Sequence, residues 1–238
     1  MTSKNVVFDI VGTLIGYDKI TDAIEKTMGD KLRKEGVKPS FVTYAWIEVA
    51  EREYTYLSMS GRYAKFSSVF EQVFYRILYG AGISNPREIA NIQDLEYIMK
   101  EYAQLEARPG AAECVTKLRE AGFTVWALTA ADINRVNQYF ASSGIKMPAE
   151  NLVSCDTKGI GKPDPRAYQS VFEQLKELGQ PWFAAGHAWD VSSARLVGFK
   201  GAYCTVYEKE YLPEVFGEMD IVADTLPEMA DKIIATSS

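Results

Sequence analysis

Asn5-Val6-Val7-Phe8-Asp9-Ile10-Val11-Gly12-Thr13 is an apolar run broken by one carboxylate and closed by a glycine. The run is too short for a helix and rich in β-branched and aromatic residues. It predicts a strand buried on both faces, as in a parallel sheet. Asp9 inside such a run is costly to bury without a partner, so its place there points to function. The next stretch of chain is of another kind. Ile20, Ile24, Met28 and Leu32 recur at helical spacing up to Gly36. Trp46, Val49 and Ala50 begin a second helix, and Phe70, Phe74, Ile77 and Leu78 mark a third. Asn85-Pro86 precedes a fourth, around Leu95 to Tyr102. From Pro109-Gly110 onward helices and strands alternate. Helices are expected over 112–120, 132–142, 165–178, 191–197 and 229–234, and strands over 123–128, 152–155, 182–185, 202–206 and 220–223. Such alternation implies a parallel sheet covered on both faces. The expected architecture is α/β. A doubly wound parallel-sheet core spans residues 1–15 and 108–238, with a helical cap domain, 16–107, inserted after the first strand.

Composition narrows the class. The chain has 238 residues, 47% hydrophobic and 24% charged, which excludes a disordered chain and a disulfide-stapled peptide. With 26 basic and 32 acidic residues the net charge is −6, which argues against nucleic acid as a partner. No apolar run reaches the length of a membrane span, and the N-terminus turns polar too soon for a signal peptide. Cys114, Cys155 and Cys204 are odd in number, far apart and match no metal spacing. They read as reduced buried cysteines of a cytoplasmic protein.

In an open parallel sheet, ligands bind beyond the carboxyl ends of the strands. Four sequence points fall there: Asp9 with Gly12-Thr13, then Thr129, then Lys162 in Gly161-Lys162-Pro163-Asp164-Pro165, then His187 and Asp190 in Gly186-His187-Ala188-Trp189-Asp190. Together with Phe8 to Leu14 and Lys162 to Tyr168, this pattern resembles the haloacid dehalogenase superfamily, over nearly the whole chain. Ala188-Trp189-Asp190 and the cap segment from Glu53-Tyr54 through Gly61 to Phe66 are most similar to its L-2-haloacid dehalogenase branch.

The resemblance implies a Rossmann-like core and a small-molecule hydrolase, with a homodimer as a possible assembly. Asp9 would be the nucleophile that forms a covalent ester. Phosphatases of the superfamily carry a second aspartate two residues later as general acid. Here that position is Val11, which transfers no proton and offers magnesium no oxygen. The resemblance therefore implies no metal and no cofactor. Thr13 has a hydroxyl placed to hold Asp9 or to cap a turn. Thr129 would donate to Asp9 or to a substrate carboxylate. Lys162 would neutralise the nucleophile's charge, with Lys158 as the fallback. His187, the only histidine, and Asp190 would orient and deprotonate the hydrolytic water. Trp189 would line the substrate pocket.

Two positions depart from the dehalogenase pattern. Glu48 stands where that branch has a cap arginine, leaving Arg52 or Arg62 as substitutes. Ala130 stands where it has an asparagine beside the substrate. Histidine at 187 replaces the usual asparagine and resembles relatives that open epoxides on small diacids. The expected function is thus a metal-independent hydrolase working through an aspartyl ester, most like a (S)-2-haloacid dehalogenase. An epoxide-opening hydrolase and a catalytically reduced relative are the alternatives. Trp46, Tyr54, Tyr56 and Tyr63 read as either pocket lining or cap core.

Overall fold

The computed structural model describes residues 4–237. The chain divides into two compact units, residues 1–16 with 107–238, and residues 17–106. Those boundaries lie one residue from the 15/16 and 107/108 junctions read from the sequence.

The first unit is built on six parallel strands: β1 (Lys4–Phe8), β2 (Phe123–Thr129), β3 (Leu152–Ser154), β4 (Trp182–Ala185), β5 (Lys200–Cys204) and β6 (Ile221–Ala223). Their spatial order is β3-β2-β1-β4-β5-β6. The chain steps outward from β1 through β2 to β3, then returns to the other side of β1 with β4. The reversal beside β1 is where an open α/β sheet leaves a crevice. In register, Phe8 lies opposite Ala127 on one side and Ala184 on the other, so the ends of three strands meet there.

The helices of this unit are α6 (Ala111–Glu120), α7 (Ile133–Ser143), α8 (Pro165–Leu175), α9 (Ala188–Val197), α10 (Pro213–Phe216) and α11 (Leu226–Thr236). Local chemistry sets several starts. Asp132 caps α7 by accepting from the Asn134 and Arg135 amides. Asp164 caps α8, with Pro165 at the first helical position. Thr225 caps α11. A core of Val7, Leu128, Tyr168, Val171, Phe183, Val191, Phe199 and Tyr203 fills the space between sheet and helices on one face.

Several expectations shift: the helix expected from Trp46 begins at Pro39, β5 lies at 200–204 and not 202–206, and α11 begins at Leu226 and not Met229. β1 ends at Phe8, not Val11: the amides of Thr13, Leu14 and Ile15 all turn back to the Ile10 carbonyl, so Asp9 follows the strand instead of interrupting it. The helix expected from Val191 begins at Ala188. The helix expected to reach 178 ends at Leu175 and tightens into a 3₁₀ turn over Lys176–Leu178.

The second unit is helical: α1 (Asp18–Lys34), α2 (Pro39–Met59), α3 (Phe66–Gly80), the single turn α4 (Pro86–Ile89) and α5 (Ile92–Tyr102). An Asn91/Asp94 capping box opens α5. Its core is aromatic. Trp46 stacks on Phe70 with centroids 4.0 Å apart, and its indole N–H donates to the Phe70 carbonyl at 2.6 Å. Phe74 packs on Trp46, and Tyr102 on Phe70. Trp46 and Tyr54 are buried in the aromatic interior of this unit, whereas Tyr56 is 57% exposed. No helix among the described residues is long and apolar enough to cross a membrane.

Candidate active site

Asp9 is the first residue past β1, and its amide donates to the Ala184 carbonyl of the neighbouring strand at 3.0 Å. That bond fixes the residue at the sheet's crevice. Both carboxylate oxygens are held. Thr13 Oγ1 donates to Oδ2 at 2.7 Å, and Lys162 Nζ donates to Oδ1 at 3.0 Å. Thr13 in turn accepts the Gly186 amide at 2.7 Å, tying the loop after β1 to the loop after β4.

Lys162 is buried, while the fallback Lys158 is exposed. The Lys162 ammonium lies between two carboxylates, 3.0 Å from Asp9 and 2.7 Å from Asp190 Oδ2. Asp190 sits in the first turn of α9, fully buried, and its other oxygen accepts from the Tyr168 hydroxyl. Two carboxylates and one ammonium buried together have opposed electrostatics. Burial alone would raise Asp9, but the Lys162 charge, with His187 and the Thr13 hydroxyl, holds it well below the usual carboxylate range. Burial raises Asp190, and the Asp9 charge adds to that against the pull of Lys162 and Tyr168. Burial would lower Lys162, yet the two carboxylates raise it further above its ordinary value. The cluster therefore contains one firmly ionised carboxylate, one firmly charged ammonium and a second carboxylate with greater proton affinity.

His187, at the end of the loop after β4, places Nδ1 3.5 Å from Asp9 Oδ2. Its ring lies against Trp189 and Tyr207, with centroids 5.5 Å and 4.9 Å away. Gly12 makes room for it. The backbone there has φ +94°, and a Cβ would meet the imidazole Cε1 at 2.2 Å. Glycine is thus demanded by conformation and by the ring together.

Other expected residues fall differently. Thr129 is buried at the end of β2, but its hydroxyl accepts the Ala131 amide at 3.1 Å. In that bond the hydroxyl closes its own turn as an acceptor. Ala130 is half-buried in that turn. Trp189 is half-buried in the first turn of α9. Arg52 lies on α2 in the helical unit, exposed, 3.2 Å from its neighbour Glu53. Glu48 and Arg62 are likewise exposed in that unit. Tyr168 was absent from the expected site residues. Its signal was its place on the buried face of a helix entered directly from Lys162.

A family model of haloacid dehalogenase-like hydrolases matches residues 4–198. The chain belongs to this family. The chain is similar to the (S)-2-haloacid dehalogenase of Xanthobacter autotrophicus, 26% identical over 211 residues, which cover 88% of this chain and 78% of that one. Another relative is (S)-2-haloacid dehalogenase 2 of Pseudomonas sp. strain CBS-3, 25% identical over 90% of this chain and 88% of its own. The fold matches a solved dehalogenase with an intermediate complex at a TM-score of 0.79 and 22% identity, over 97% of both chains. It also matches the Xanthobacter autotrophicus L-2-haloacid dehalogenase with covalently bound chloropropionic acid, at 0.74 and 22% identity, over 97% and 98%. As a haloacid dehalogenase-like hydrolase, the chain presents its candidate site where β1 and β4 end.

Proposed function

We propose that this hydrolase works through a covalent ester on Asp9, without a metal, on a small electrophile of the 2-haloacid type. The observation that carries the reading is the Asp9 carboxylate clamped by Lys162 and Thr13, with Val11 in the position two residues on. The Lys162 ammonium itself supplies the positive charge between the two carboxylates.

In the first step an Asp9 oxygen attacks the carbon bearing the leaving group. A C–O bond forms, the carbon–halogen bond breaks, and halide leaves with the electron pair. Lys162 holds the carboxylate in place for attack and balances the charge of Asp190 once Asp9 has been esterified. In the second step water attacks the Asp9 carbonyl carbon, and its proton passes to His187 or Asp190. That group returns the proton to the leaving oxygen as the acyl C–O bond breaks and the alcohol departs, and Asp9 releases the second water proton to solvent, regaining its carboxylate with one oxygen from water. Trp189, the Ala130 segment and the Thr129 turn would border the substrate. The names and chloropropionate adduct of the relatives support a 2-haloacid. The imidazole beside Asp9 supports, as a second reading, a small diacid epoxide, whose ring opening also needs a proton donor. The three buried thiols fit action in the cytoplasm.

Turnover of 2-chloropropionate in heavy-oxygen water tests the ester. Label should enter the Asp9 peptide and accumulate in product only after the first turnover. Label in product from the first turnover, with none in Asp9, would mean direct attack by water. Turnover of an epoxysuccinate but not of the haloacid would select the second substrate.

A further inference from the structure

His187 opens α9 as its cap residue, yet its side chain makes no capping hydrogen bond. Another residue does that work. The Ala188 amide donates to Glu208 Oε2 at 2.9 Å, from the segment that follows β5. The same oxygen accepts from the Tyr203 hydroxyl at 2.9 Å. Burial and the Glu208 charge push the Tyr203 phenol up, so it stays a donor. The other amide flanking His187, that of Gly186, is taken by Thr13. The imidazole is thus carried on a short segment pinned on both sides, at Gly186 by the loop that bears the nucleophile and at Ala188 by Glu208. Tyr207, the residue before Glu208, packs its ring against the imidazole at a tilt of 60°, and Gly12 stands against it elsewhere. A carboxylate suits the place, because the first amides of a helix lack intrahelical partners and the helix dipole favours negative charge there. A hydrogen bond to a carboxylate is also stronger than one to a neutral acceptor.

We propose that Glu208 is a positioning residue for His187: by capping α9 at Ala188 it fixes the backbone that aims the imidazole at the carbonyl of the Asp9 ester. The role rests on the reading of His187 as the group that assists the hydrolytic water. Loss of the cap lets the 186–188 segment relax, and displacements of that scale are costly for a proton-transferring group. The first step, which needs only Asp9, Thr13 and Lys162, is left alone.

Because His187 is the only histidine, its ring can be read without substrate. The full chain, labelled in histidine, should give one set of imidazole nitrogen–proton correlations. Glu208→Ala should move or broaden them, while Glu208→Gln, whose amide oxygen still accepts from Ala188, should restore a single ring close to wild type. In kinetics with 2-chloropropionate, Glu208→Ala should slow ester hydrolysis about tenfold, raise the share of protein found as Asp9 adduct, and leave ester formation within about twofold of wild type. Glu208→Gln should recover most of the hydrolysis rate. Should Glu208→Ala fail to fold, Glu208→Asp, one methylene shorter, carries the same expectations. An unchanged imidazole spectrum in the folded variant overturns the proposal, and so does an equal loss in both half-reactions. If wild-type protein forms no adduct at all, it is the ester reading that fails, and the ring spectrum still decides what Glu208 does.

Discussion

The two units spend their buried volume differently. Among the described residues, ten polar or charged side chains are buried, and only Thr43 belongs to the helical unit. Asp9, Thr13, Thr129, Lys162, His187 and Asp190 are all in the sheet unit, whereas the helical unit fills its interior with Trp46, Phe70, Phe74 and Tyr102. A buried charge costs several kcal/mol unless partnered, so a domain retains a cluster of them only where the groups compensate one another. The helical unit carries no such cluster among the described residues and follows the ordinary rules of apolar packing. The contrast says that removing a charge from the sheet unit should change chemistry, and removing a ring from the helical unit should change stability.

The largest expected effect comes from Asp9→Asn. The amide is nearly isosteric but a very poor nucleophile, so turnover should fall by at least about 10³-fold, roughly 4 kcal/mol of barrier, while the far-UV spectrum and unfolding transition persist. Activity within about tenfold of wild type would remove Asp9 from the chemistry. In the helical unit, Trp46→Ala deletes a stacked, fully buried ring and its hydrogen bond to the Phe70 carbonyl. It should cost about 3–5 kcal/mol in urea unfolding. A loss below about 1 kcal/mol would mean that the aromatic cluster is not what holds that unit.

The same contrast marks what the sequence could show. Periodicity located the helices of the second unit from Ile20 through Tyr102, because an aromatic interior writes itself as apolar residues every three or four positions. Alternation placed all six strands and the crevice, and the strand-end motifs named Asp9, Thr13, Lys162, His187 and Asp190, which the structure brings together. The start of α9 was not legible. Gly186-His187-Ala188 carries no serine, threonine or aspartate in the capping position, and the cap arrives from Glu208, 20 residues away. Tyr168 gave only a weak signal, its place just after Lys162, since a tyrosine on an apolar helix face reads as core until Asp190 is seen beside its hydroxyl. Likewise only the structure shows that the Thr129 hydroxyl accepts the Ala131 amide. Sequence spacing gives strand ends, but long-range hydrogen bonds decide what each side chain does there.

His187→Asn sharpens the comparison inside the sheet unit by separating two steps of one reaction. Asparagine can hold a water but takes no proton near neutral pH. Ester hydrolysis should slow by about 10²-fold with ester formation little changed, so that an adduct on Asp9 accumulates and appears as a mass shift of the intact chain. Lost turnover without an adduct would move His187 to the first step or to substrate binding.

The smallest expected effect concerns the two carboxylates that share Lys162, and it is read in stability. Both start from an ordinary value of 3.8 in the unfolded chain. Folding lowers Asp9, so its contribution is complete above pH 3.8 and is lost as the pH falls through its lower folded value. Folding raises Asp190, so the folded chain holds that proton more tightly than the unfolded one, and stability is given up as the pH rises from 3.8 through the raised folded value. The two variants should therefore diverge from wild type in different windows. Asp190→Asn, which cannot ionise, should gain on wild type as the pH climbs above 3.8 and level off once wild-type Asp190 has lost its proton. Asp9→Asn should compare least favourably with wild type above pH 3.8 and close the gap in stronger acid. Urea unfolding of the three proteins at matched pH values resolves both trends. If Asp190→Asn instead falls further behind wild type as the pH rises above 3.8, Asp190 is stabilised as an anion by Lys162 and Tyr168. It would then orient the hydrolytic water without accepting its proton, leaving that proton to His187.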